Sequence, residues 1–152
     1  MIASGIAAWR STGATQWMPL FLSSLANAYA QLDEVDAAWH CMDEAETTVE
    51  TTNERWWEAE VNRTVGEIAL KTPKADTAKA EVYFERALAM ARQQQAKSFE
   101  LRAAMSMAPL WRDQGKRQKA RDLLAPVYGW FTEGFDTLDV KQAKALLDEL
   151  AS

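Results

Sequence analysis

With 152 residues, 48% of them hydrophobic, the chain can bury an apolar core as one domain or as a short repeat array. A formal net charge of −5 argues against nucleic-acid binding, which draws on a basic excess. The single cysteine, Cys41, rules out an internal disulfide and fits a reducing, cytoplasmic setting, and no apolar run approaches the roughly 20 residues of a membrane-spanning helix.

Few glycines and prolines and abundant alanine predict an all-α chain. Residues 1–12 read as the tail of a second helix of a pair, ended by Ser11-Thr12-Gly13, without the layout of a signal peptide. The next helix runs from about Gln16 to Gln31, with Pro19 in its first turn, where a missing N–H costs little. Asp33 is the expected cap of a helix to Thr51, and Asn53 of another to Leu70. Asp76 or Thr77 starts the next. Its stretch Ala80 to Arg92, AEVYFERALAMAR, places Ala80, Tyr83, Phe84, Ala87, Leu88 and Ala91 on one stripe at steps of three and four. Ser98 is the expected cap of a helix ending at Gly115, with Pro109 kinking it. A helix from Lys116 to Phe131 carries Pro126 as a second kink, and Thr137 opens a last helix to Leu150.

A register runs through these elements. Ala26, Gly66 and Ala108 are spaced 40 and 42 apart on three first helices, each followed three residues later by Tyr29, Ala69 or Trp111. On the second helices Ala38, Ala80 and Ala120, then Met42, Phe84 and Leu124, then Ala45, Ala87 and Val127 are spaced 42 and 40. The middle unit has two extra residues, which fall in the turn Lys71-Thr72-Pro73-Lys74-Ala75-Asp76. This predicts repeats at about 16–52, 53–96 and 97–133 with a capping helix at 137–151, all in one helical-repeat domain over 1–152.

The pattern of small residue, aromatic and alanine resembles the tetratricopeptide repeat, with a period of about 40 in place of the standard 34 or so residues. The segments RALAMARQQQAKSFELRAA and DLLAPVYGWFTEGFDTLDVKQAKALLDEL are similar to the C-terminal tetratricopeptide region of large bacterial multidomain regulators, the predicted signal-transduction ATPases that often carry an adenylate/guanylate cyclase domain. The resemblance implies a right-handed superhelix of antiparallel helix pairs with a C-terminal capping helix. It also implies a concave face that binds a protein or peptide partner, or other domains of a larger parent. Contact residues carried over on the repeat register are Ser23, Asn27 and Gln31, then Glu60, Arg63 and Glu67, then Arg102, Met105, Pro109 and Arg112, with Trp56 as an aromatic anchor at the edge. The five-residue clamp that some such domains use for a terminal carboxylate is matched at Asn27 and Arg102 only; Ser23, Thr64 and Ser106 replace the rest.

No catalytic role is expected. His40 and Cys41 are neighbours on a helix, about 100° apart, so they do not converge as a nucleophile and base must. No zinc spacing or Glu-x-x-His signature is present, and neither a cofactor nor a metal is expected. Trp57, Trp111 and Trp130 are read as packing bulk. Ten acidic residues against Arg55 give residues 31–60 a net −9, while nine basic residues against Glu100 and Asp113 give residues 86–121 a net +7. The expected job is non-catalytic protein–protein interaction or regulatory scaffolding. The alternatives are a small-ligand sensor with its groove edged by Trp56, and a homodimer stacked through an exposed first end at Ile2, Ile6 and Trp9.

Overall fold

The computed structural model describes residues 1–152 and is all-α, with eight helices. Its contacts divide the chain into two compact units, Met1–Tyr83 and Phe84–Ser152, with the boundary inside one helix.

The first unit holds α1 (Ile2–Ser11), α2 (Met18–Gln31), α3 (Val35–Thr52), a single 3-10 turn (Arg55–Trp57), α4 (Glu58–Lys71) and the start of α5 (Thr77–Gln93). Helix α2 packs on α1, α3 and α4, and α3 packs on α4. Leu22, Ala26, Ala38, Met42, Val65 and Ile68 are almost wholly buried in this core. Each large aliphatic side chain contributes roughly 1.5–3 kcal/mol by leaving water, whereas the alanines contribute closeness between helix axes. Ile6 is buried and Trp9 packs edge-on against Phe21 at 5.6 Å, so two of the three apolar residues predicted at an open first end are turned inward; Ile2 alone is exposed.

The second unit holds the rest of α5, then α6 (Lys97–Asp113), α7 (Arg117–Trp130) and α8 (Leu138–Ala151). Helices α6 and α7 pack on each other and both pack on α8. Phe84, Leu101, Met107, Ala108 and Leu124 are fully buried. Helix α8 buries Val140, Ala143 and Leu150 and leaves the opposite face wet. There Lys144 Nζ donates to Asp148 Oδ2 at 2.7 Å, a charge pair 40 residues after Ala108, where one more step of the first-helix register would place a small packing residue.

Four turns share one hydrogen bond: between α5 and α6 the Ala96 N–H donates to the Ala91 carbonyl at 2.9 Å, and the other three follow α2, α4 and α6. The carbonyls of Tyr29, Ala69 and Trp111, which the sequence register aligns, accept from the backbone N–H of Glu34 (2.9 Å), Asp76 (3.0 Å) and Lys116 (2.8 Å). The donors lie five, seven and five residues on, so the two extra residues of the middle turn are looped out beneath the same closure. Each donor residue's own carbonyl then accepts from Ala38, Ala80 or Ala120 at 3.0–3.1 Å, and all three alanines are fully buried. Gly66 and Ala108, the small residues of the first helices, are buried as well.

Three expected caps sit elsewhere. Asp33 and Asn53 adopt positive φ (60° and 55°) beyond the ends of α2 and α3, where the helix closes in a left-handed residue and short polar side chains are tolerated. Helix α4 therefore begins only at Glu58, after the 3-10 turn, and Ser98 lies inside α6 with Ala96 at its N-cap. Asp76 does cap: its Oδ1 accepts from the Lys79 N–H at 2.9 Å. Helices α6 and α7 run uninterrupted past Pro109 and Pro126.

Candidate functional site

The predicted contact residues of the first unit lie on α2, α4 and the turn before α4. The N-terminal ends of α2 and α4 are pinned together by aromatic side chains. The rings of Trp17 and Trp57 pack at 5.1 Å, and the Trp57 indole N–H donates to the Gln16 carbonyl at 3.1 Å. The 3-10 turn that places Trp57 there turns its neighbour outward, and Trp56 is 71% exposed. Asn27 is half-buried and Gln31, the last residue of α2, is exposed.

One turn beyond Trp56 the surface closes. Arg63 is 8% exposed and Glu60 4%. The guanidinium grips Glu60 with two parallel bonds, Nε to Oε2 at 3.0 Å and Nη2 to Oε1 at 2.6 Å, while Nη1 donates to Glu67. Burial alone would lower the Arg63 pKa, but the hydrogen bonds and charges of Glu60 and Glu67 outweigh it and raise it. The i,i+3 and i,i+4 spacing makes all three neighbours on one helix, and Arg is the residue suited to a bidentate carboxylate in a dry setting. These three residues, expected among the contacts of the concave face, bond to one another, as a face of mixed Glu and Arg also allows.

On α6 in the second unit, Arg102 Nε lies 3.7 Å from Asp139 Oδ2, and Arg112 joins Asp113 (2.9 Å) and Glu149 of α8 (2.6 Å). Hydrogen bonding to Asp113, ahead of its partial burial, raises the Arg112 pKa. Met105 and Pro109 are half-buried. The predicted cations of this helix therefore link α6 to α8.

His40 is exposed and Cys41 is buried, as helix neighbours facing different ways. Burial, and next Glu44, push the Cys41 thiol up, with Arg10 opposing. Trp111 is buried with Lys119 Nζ 3.7 Å from its ring centroid, but Trp130, read as packing bulk, is 57% exposed. Its position as the last residue of α7 explains the difference, since the chain leaves helical geometry at Phe131 before any neighbour covers the indole.

Sequence reading passed over one group entirely. Glu100, on α6, is 4% exposed and holds Arg92 and Lys97. Lys97 and Glu100 stand three apart, a detectable helix pair, but the Arg92 partner depends on the turn between α5 and α6.

No family model matches the sequence, and no curated protein matches it either.

Proposed function

We propose that the chain is a non-catalytic protein–protein interaction or regulatory module, built as the tetratricopeptide-like superhelix of antiparallel helix pairs that its sequence resembles. The observation that carries this reading is the complete burial of the register-matched Ala38, Ala80 and Ala120 behind the turns that follow Tyr29, Ala69 and Trp111, since recurring helix pairs that bury a common set of alanines are the unit of repeat architectures. The partner is a protein or peptide, or another domain of a larger cytoplasmic parent. Its anchor is Trp56, a large exposed aromatic beside the stapled ends of α2 and α4, the type of side chain that dominates interface energetics. The Glu60–Arg63–Glu67 network then stiffens the helix that follows the turn presenting the indole.

Panning a random peptide library against the purified chain tests this. Enriched peptides should bind the parent chain and lose roughly tenfold or more in affinity to Trp56→Ala, as interface aromatics do on truncation. Failure to enrich any sequence, or equal binding to Trp56→Ala, would overturn the assignment.

A further inference from the structure

The end of α5, the turn into α6 and the end of α7 enclose a surface pocket of about 480 Å³ lined by Arg92, Gln95, Lys97 and Trp130, within the size range of small-molecule sites. Beneath it the buried Glu100 carboxylate holds two cations, one on each oxygen: Arg92 Nε to Oε1 at 2.9 Å and Lys97 Nζ to Oε2 at 2.7 Å. Those bonds use one N–H of each cation, leaving both Arg92 Nη groups and two Lys97 protons to serve as donors. Two positive charges against one negative leave the cluster at +1.

Two further features mark the pocket. Gln95 holds φ at +54°, a conformation in which glycine is the relaxed choice, yet the chain places a long amide side chain there. Trp130 is exposed and is braced edge-on by Phe131 at 5.3 Å, which leaves an indole face open to stacking.

We propose that this pocket binds a small ring-bearing anion, its phosphate or carboxylate group held by Arg92 and Lys97 and its ring laid on Trp130. Glu100 supplies the preorganisation: it fixes both cations before the ligand arrives, so little side-chain freedom is lost on binding. A small ligand matches a lining of four residues, Arg92, Gln95, Lys97 and Trp130, which offers one cation pair and one aromatic face rather than an extended basic track. The site is built from residues of the second unit alone, shares none with the Trp56 reading and does not depend on it.

The test uses phenyl phosphate and benzoate as probes, with inorganic phosphate and phenol as their halves, followed by nitrogen–proton spectra of the tryptophan indoles. Trp130→Phe assigns the Trp130 resonance. At least one probe should shift that resonance saturably, and whichever binds more tightly identifies the acid group. Inorganic phosphate and phenol should each bind roughly tenfold or more weakly, and so should the better probe to Trp130→Ala, the scale expected for loss of an aromatic stacking platform. Arg92→Lys keeps the charge beside Glu100 and loses the guanidinium fork, and it should weaken binding while its circular dichroism spectrum stays that of the folded parent chain. Absence of a saturable shift at Trp130 with both probes, or undiminished binding to Trp130→Ala, would overturn the proposal.

Discussion

The Arg63 guanidinium and the Glu60 carboxylate meet through two parallel hydrogen bonds on the same helix, almost out of water. Arg63→Ala leaves Glu60 buried without a partner and should destabilise the chain by about 3–5 kcal/mol, read from urea unfolding. The double substitution Glu60→Gln with Arg63→Met removes both charges and should cost clearly less. If the two variants unfold alike, the pair is not desolvated.

Thr64, next along α4, is fully buried, and its hydroxyl has no hydrogen-bond partner. Thr64→Val keeps the shape and removes an unsatisfied polar atom. It should raise stability by about 1 kcal/mol. A loss of stability in calorimetry would count against this environment.

The repeat register is testable on α7 alone. Ala120 is fully buried and Ala125 is exposed, five residues apart on one helix. Ala120→Leu should cost about 1–3 kcal/mol by overpacking, while Ala125→Leu should stay within about 0.5 kcal/mol of the parent chain. Equal effects would place the helix in a different rotation.

Left-handed positions give a pair of opposite signs. Gln95→Gly relaxes a strained backbone and should stabilise by about 0.5–1 kcal/mol, offset in part by the freer unfolded chain. Gly115→Ala, at φ +79° with open space around it, should destabilise by about 1 kcal/mol from backbone strain alone. Melting temperatures of the two variants should move in opposite directions.

Burial tends to raise the Glu100 carboxyl, but hydrogen bonds and charge from Lys97 and Arg92 win and hold it below its ordinary value of 4.5. The folded chain therefore binds fewer protons at this site than the unfolded chain. Its stabilising contribution is complete above that value and is lost as the pH falls through the folded pKa. Unfolding free energies followed from neutral to acid pH should show that fall, and Glu100→Gln should flatten it. An unchanged slope in the variant would remove Glu100 from the acid response.

Much of the fold was legible because helix packing leaves a periodic mark. Ala38, Ala80 and Ala120 stand out in sequence at steps of 42 and 40, and the structure buries all three with the same backbone bond. Caps were less legible, since Asp33 and Asn53 suit a left-handed residue after one helix as well as a cap before the next. The contact row on α4 was hardest to judge. Helical spacing puts Glu60, Arg63 and Glu67 on one face, but only the depth of that face decides whether they greet a partner or one another. The Arg92–Glu100–Trp130 region joins residues from three helices, and no local spacing announces it.

The middle turn between Lys71 and Asp76 keeps its closing bond although it spans two residues more than its counterparts, and Pro73 and Lys74 at its tip are exposed. That tolerance marks a grafting point: an epitope tag or fluorescent reporter spliced between Pro73 and Lys74 should leave the helices on either side undisturbed, giving a handle on the molecule well away from Trp56 and Trp130 in the sequence.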